Sequence, residues 1–254
     1  MQDRETLKNY AKTLGFNLGQ TEKDYLQHII LAAVSENTGK ELVFKGGTSL
    51  QKTINMPRYS EDLDFTATKN TDTGNLAERI QEKIRYYGYE NHYTRTNPET
   101  GETIKYRIKG PLYNQNPLTE ATLRLEISRR EDTLLETKTH AINPIYDDVP
   151  EYTVNTMHPQ EILAEKIRAL YTRAQPRDLY DINYLLKKNT ILDKELVQKK
   201  LAYYNKTIHS VNIEDTLRNL KNPWNNEMKM LVAKSPEHQQ VAEYVLKKFK
   251  ENGF

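Results

Sequence analysis

The 254 residues carry 37 basic against 35 acidic side chains, a formal net charge of +2, so global electrostatics do not single out a nucleic-acid partner. Cys is absent, which excludes disulfides and thiolate metal sites. No apolar run approaches the roughly 20 residues of a membrane span, and the opening Met-Gln-Asp-Arg-Glu lacks a signal-peptide pattern; together these predict a soluble, cytoplasmic protein.

In chain order, residues 1–40 read as helical, because Tyr25, Leu26, Ile29, Ile30 and Ala33 recur at helical spacing, with Thr21 as N-cap and Asn37-Thr38-Gly39 as the stop. Strands are predicted at 42–44 and 63–66, with a helix from Thr48 that turns back at Pro57 and another over 76–87. Alternating segments at 89–94, 103–108 and 123–128 suit further strands. From Pro159 the pattern is helical to the C-terminus, with breaks predicted at Pro176, Pro223 and Pro236. The division predicted is a mixed-sheet α/β domain over 1–156 and a helical domain over 157–254.

Gly46 and Gly47 fall where the strand ending at Phe44 turns into the helix beginning at Thr48. A turn without Cβ atoms lets backbone N–H groups approach a phosphate, and the helix N-terminus adds partial positive charge. After eleven connecting residues beyond Leu50, Asp62 and Asp64 stand two apart in a strand-like run. That spacing puts both carboxylates on one face, roughly 7 Å apart along the strand, where they can hold Mg²⁺. Taken singly, a Gly-Gly turn is ordinary turn chemistry and Asp-x-Asp suits any half-buried strand. Their combination, with Leu63 and Phe65 filling the opposite face, points to nucleotide and metal binding. Lys45 and Arg58 flank the acids and are candidates for triphosphate oxygens, while Thr48, Ser49 and Ser60 offer hydroxyls. Lys45 reads more simply as a solvated strand end, and Ser60 equally as a cap of the turn into the acidic strand.

Gly46-Gly47-Thr48 followed by Asp62-x-Asp64 resembles the signature of nucleotidyltransferases of the DNA polymerase β type. More narrowly, Lys45-Gly46-Gly47-Thr48-Ser49-Leu50 with Arg58-x-Ser60-x-Asp62-Leu63-Asp64-Phe65 resembles the AbiEii/AbiGii (MenT-like) toxin family. His158-Pro159-x-Glu161-x-Leu163-Ala164-x-Lys166 and Arg177-Asp178-Leu179-Tyr180-Asp181 add to the narrower match. The resemblance implies a polymerase β-like mixed sheet followed by a helical domain, with the active site in the cleft between them. It implies Asp62 and Asp64 bridging Mg²⁺ or Mn²⁺, Lys166 as a phosphate contact, and Asp178 as a further site residue. Without it, Lys166 is a cation at the edge of an apolar helical stripe, and Asp178 an ordinary first-turn acid. A third acid on a later strand is also implied. Glu126, on the polar face of the alternating run 122–128, is the candidate, and reads equally as a solvent-facing partner of Arg124.

The function so implied is that of the toxin half of a bacterial toxin–antitoxin or phage-defence (abortive infection) pair. The toxin transfers a nucleoside monophosphate from an NTP to a macromolecular hydroxyl, with a tRNA 3′ end as acceptor and a cognate antitoxin as partner. Modification of a small molecule such as an aminoglycoside, and a non-catalytic nucleotide-binding module, are the alternatives. Arg85, Tyr86, Tyr87, Tyr89, His92, Tyr93, Arg95, Lys105, Tyr106 and Arg107 interleave cations and aromatics as an RNA surface does. The same tyrosines packing a helix against a hairpin is the plainer reading.

Overall fold

A computed structural model describes residues 1–68 and 71–254. The chain divides into two compact units. One holds Met1–Asn55, Tyr59–Asp132 and Thr137–Thr156; the other holds Met56–Arg58, Thr133–Glu136 and Met157–Phe254.

The first unit opens with two helices where periodicity alone reads one. α1 (Arg4–Leu14) stops at Gly15, whose φ of 69° is left-handed, and α2 (Leu18–Asn37) starts afresh. The cap of α2 is Asn17, not Thr21. Asn17 and Gln20 form a reciprocal capping box, and the Thr21 hydroxyl donates to the Asn17 carbonyl at 2.9 Å. Next come β1 (Leu42–Lys45), α3 (Gly46–Ile54) and β2 (Leu63–Ala67). They are followed by α4 (Leu76–Tyr86), β3 (Asn91–Thr96), β4 (Gly101–Ile108), β5 (Ala121–Ser128), β6 (Lys138–Ile142) and β7 (Tyr152–Thr156). Among the described residues the strands form one mixed sheet in the order β3-β4-β5-β2-β1-β7-β6. β2 pairs parallel with β5 and antiparallel with β1, and β1 runs parallel to β7.

Alternation along the central strands explains why the sheet has one oily face. Leu63, Phe65 and Ala67, then Ile104, Tyr106 and Ile108, then Leu123, Leu125 and Ile127 join Ile29 and Ile30 of α2 and Ile80 and Ile84 of α4 in one core. Each such side chain contributes about 1.5–3 kcal/mol on burial. The intervening residues, Asp64 and Glu126 among them, fall on the opposite face.

The second unit is helical: α5 (Pro159–Thr172), α6 (Pro176–Lys187), α7 (Lys194–Ala202), α8 (Ile213–Asn219), α9 (Lys221–Leu231) and α10 (His238–Glu251). Pro159 and Pro176 sit in the opening turns of α5 and α6, where the missing N–H has no intrahelical partner to lose. Pro223 lies in the first turn of α9 for the same reason, and the helical pattern is interrupted just before it, between α8 and α9. Another break comes around Pro236, whose carbonyl accepts from the fully buried Trp224 indole at 3.0 Å.

Candidate active site

β1 passes into α3 with no intervening loop: the strand ends at Lys45 and the helix begins at Gly46. Gly46 adopts φ +75°, and a Cβ built on it would lie 2.3 Å from Oδ2 of Asp64. Only glycine therefore allows this turn and this carboxylate to occupy their places together. Lys45 faces Asp64 in the antiparallel register of β1 and β2. Two hydroxyls tie the turn down. Thr48 Oγ1 donates to the Asp62 backbone carbonyl and Ser49 Oγ to that of Phe44, and both residues are fully buried. Their hydroxyls thus serve the protein's own backbone, leaving the glycine-turn N–H groups as the donors suited to phosphate.

Asp62 immediately precedes β2 and Asp64 is its second residue, and both are half-buried. In the parallel register Asp64 lies beside Glu126 of β5. The Glu126 carboxylate is 45% exposed and stands 3.4 Å from Arg124, two residues along the same strand. Among the described residues no group of three His, Cys, Asp or Glu is arranged to hold a metal. A two-carboxylate donor set still fits Mg²⁺, which favours oxygen ligands and is commonly held by one or two carboxylates together with substrate phosphates.

The segment leading into Asp62 is fixed from the helices. Ser60 N–H donates to Gln51 Oε1 at 3.1 Å, and the Gln27 side-chain amide donates to the carbonyls of Ser60 (2.9 Å) and Glu61 (2.8 Å). Nothing in the periodicity of α2 marks Gln27 as a site residue. Its only signal is a polar amide with no exposed surface on a helix that is otherwise largely core.

The remaining candidates gather in the second unit. Arg58 is buried and forks onto Asp181, Nε to Oδ1 at 2.6 Å and Nη2 to Oδ2 at 2.7 Å. Sequence reasoning offered its guanidinium to a triphosphate; the structure engages it with a carboxylate. Lys166 of α5 stands 2.8 Å from Asp181 and 3.5 Å from Asp178. Arg173 forks onto Asp178 with two contacts of 2.9 Å. Neither aspartate has exposed surface, while the Lys166 side chain is 10% exposed. Burial pushes the Asp181 carboxyl up, but Arg58 and then Lys166 more than offset it and hold it below the usual range. Arg173 was missed, because an i,i+5 relation to Asp178 across the helix break has no periodic signature.

Part of the aromatic half of the anticipated RNA surface is core, although Tyr86 and His92 are exposed. Tyr87, Tyr89 and Tyr106 are buried, and the Tyr106 hydroxyl donates to the Ala77 carbonyl at 3.1 Å. Arg95 is also occupied, ion-paired to the buried Glu102 at 2.6 Å and donating to the Gly74 carbonyl. Lys105, Arg107 and Arg124 remain exposed on the sheet.

Three comparisons bear on this arrangement. The protein-family model described as nucleotidyl transferase AbiEii toxin, type IV TA system, matches residues 29–248. No curated protein matches the chain in sequence. Among solved structures, the fold is similar to MenT4, a nucleotidyltransferase toxin of Mycobacterium tuberculosis, with a TM-score of 0.59 and 22% identity over 87% of this chain and 73% of that one. It is also similar to JHP933 of Helicobacter pylori, with a TM-score of 0.61 and 19% identity over 94% and 96% of the two chains. At these identities the structural likeness speaks to fold. The family model spans most of the sequence, and the chain belongs to the AbiEii family of nucleotidyltransferase toxins of type IV toxin–antitoxin systems.

Proposed function

We propose that this toxin transfers a nucleoside monophosphate from an NTP to the 3′-terminal hydroxyl of an RNA, a tRNA in the first instance, in a divalent-metal-dependent reaction that its cognate antitoxin counteracts. The observation that carries this reading is the packing of Gly46 against Asp64, which sets a phosphate-accepting turn directly against a metal-accepting carboxylate. In the reaction the acceptor oxygen forms a bond to the α-phosphorus of the NTP, the bond to the pyrophosphate oxygen breaks, and the acceptor's proton passes to solvent or a carboxylate. Asp62 and Asp64 would hold Mg²⁺ or Mn²⁺, which would supply Lewis acidity and charge neutralisation for the leaving pyrophosphate. Backbone N–H groups at Gly46, Gly47 and Thr48 bind phosphate oxygens, and Lys45, opposite Asp64 in the ladder, adds positive charge. Ser49 contributes by holding backbone and Arg58 by fixing Asp181, while Ser60 offers its hydroxyl to phosphate or metal. Lys166 is the phosphate contact, its ammonium oriented by Asp178 and Asp181. Glu126 is the candidate base beside Asp64.

The RNA acceptor is supported by sheet register. Asp64 lies beside Glu126, Glu126 opposite Thr103, Lys105 opposite Arg124, and Arg107 opposite His92. These residues share one sheet face, so exposed cations run outward from Asp64 across the two neighbouring strands, β5 and β4. Phosphate contacts there release counterions, by about 0.7 in the log–log salt slope for each contact with a single strand. The deciding experiment incubates the protein with each labelled NTP, Mg²⁺ or Mn²⁺ and total tRNA, and locates the label. A companion salt series compares tRNA affinity of the wild type with a Lys105→Gln, Arg107→Gln, Arg124→Gln variant, whose slope should fall by about 2. Label on a small molecule, with no tRNA binding, overturns the acceptor and leaves nucleotidyl transfer standing.

A further inference from the structure

Asp62 and Asp64 are held by different means. Asp64 sits in a β-ladder, paired with β1 on one side and β5 on the other. Residues 59–62 have no regular secondary structure, so no ladder fixes their peptide groups. Side chains do so instead. Gln27 Nε2, on α2, donates to two successive carbonyls, those of Ser60 and Glu61, at 2.9 and 2.8 Å. Gln51 Oε1, on α3, accepts from the Ser60 N–H at 3.1 Å. The Thr48 hydroxyl takes the next carbonyl, that of Asp62 itself.

The two glutamines are not incidental packing. Gln27 has no exposed surface, and its own Oε1 has no hydrogen-bond partner among the described residues. An apolar residue at this position would avoid that penalty, and turning the amide over would set its oxygen against two carbonyl oxygens. The amide is therefore oriented by the backbone it grips. Gln51 is oriented in turn, because its Nε2 donates to Asp24 Oδ1 at 2.9 Å. Asp24 also pairs with the buried Lys52 ammonium and accepts from the Tyr146 hydroxyl at 2.8 Å. A chain of polar contacts thus runs from Lys52 and Tyr146 through Asp24 and Gln51 to the Tyr59–Ser60 peptide, two residues before Asp62.

We propose that Gln27 and Gln51 are positioning residues of the nucleotidyl-transfer site, holding the 60–62 backbone so that Asp62 meets Asp64 at the geometry that takes a divalent cation. This rests on the reading of Asp62 and Asp64 as the cation's ligands. Groups that orient metal ligands from outside the coordination sphere typically change affinity or activity about 10–100-fold when removed.

The test titrates the full chain with Mn²⁺ alone, following free Mn²⁺ by electron paramagnetic resonance, and also records the Mn²⁺ concentration for half-maximal transfer. Gln27→Met and Gln51→Met are compared with wild type, Asp62→Asn and the core control Ile84→Val, with thermal unfolding measured for each. Gln27→Met should weaken Mn²⁺ binding about tenfold, shift half-maximal transfer to higher metal, and recover part of its turnover when Mn²⁺ is raised. Gln51→Met should move the same way. Should Gln27→Met fail to fold, Gln51→Met carries the comparison. Loss of Mn²⁺ binding in Asp62→Asn with unchanged binding in the glutamine variants overturns the positioning role. An equal loss in Ile84→Val overturns it too, since general loosening would then suffice. Unchanged binding in Asp62→Asn overturns the acid-pair reading itself, a result distinguishable from the other two.

Discussion

The aspartates at 62 and 64 stand half-buried at the entry to a strand, whereas those at 178 and 181 lie in the first turns of a helix with no exposed surface at all. Spacing in the sequence makes both look like paired acids on one face. Their surroundings separate them. Asp178 and Asp181 are ringed by Arg173, Lys166 and Arg58, so their charge is already compensated, and drawing either towards a metal would strand a buried cation. Asp62 and Asp64 keep solvent access and lie against a turn in which a single added carbon would collide with Asp64. Exposure, more than residue type, marks the pair suited to exchanging ligands.

The sharpest way to break this contrast is to neutralise one acid from each pair. Asp62→Asn and Asp64→Asn should each lower turnover on the order of 10³-fold, the scale on which charge-stabilising groups act, and leave the unfolding midpoint near wild type. Gly46→Ala should produce a comparable loss, since φ +75° and the Asp64 carboxylate both oppose a side chain. Label transfer measured beside urea unfolding checks all three; wild-type turnover by Asp62→Asn would break the assignment. Asp181→Asn should behave the other way. It leaves Arg58 without its ionic partner and should destabilise the fold by about 3 kcal/mol, with a loss of turnover beyond the fall in folded fraction that is far smaller than that of Asp62→Asn and comes through the Lys166 ammonium it orients. A stable, inactive Asp181→Asn protein would erase the distinction between the pairs.

Lys166 sharpens the comparison, because it belongs to the compensated cluster yet retains some exposure. If its ammonium meets a triphosphate, Lys166→Met should weaken NTP binding about 10–30-fold, the worth of a charged hydrogen bond. Toxicity in a growth assay should fall in step. Isothermal titration with NTP separates that from the modest destabilisation expected when Asp181 loses one of two cations. Unchanged NTP affinity would make Lys166 purely structural.

The contrast also shows what a sequence makes legible. The glycine turn, the acid pair and the alternating core strands are local patterns, and they lie in β1, α3, β2, β4 and β5 where spacing placed them. β6 and β7 were missed: β6 is mostly exposed and β7 is five residues long, so neither offers a sustained alternation of oily and polar positions. The fork of Arg58 on Asp181 joins residues 123 apart, and the grip of Gln27 on Ser60 joins residues 33 apart. Contacts of that kind carry no periodicity. A buried polar residue announces that it needs a partner without saying which one.

The smallest expected effect concerns α2, which carries two groups that titrate in opposite senses. Burial pushes Glu22 up to about 7, against the Leu112 N–H it accepts at 2.7 Å. Burial, helped by Lys52 and opposed by Asp24, pushes His28 down to about 3, with the ring held by the Tyr152 hydroxyl at 2.7 Å. Glu22 therefore binds its proton more tightly in the folded chain. The stability this provides is complete below about 4.5 and is lost as pH rises through about 7. His28 stays neutral when folded, so its contribution is complete above about 6.5 and is lost as pH falls towards about 3. Between about 4.5 and 6.5 the two slopes oppose, each at about 1.4 kcal/mol per pH unit, and largely cancel. Glu22→Gln should expose the histidine slope, so that stability drops on acidification across this window. His28→Asn should expose the glutamate slope, with stability dropping as pH rises. Urea midpoints at half-unit intervals from pH 4.5 to 7 measure both, and parallel curves for wild type and Glu22→Gln would show that Glu22 does not hold its proton in the folded chain.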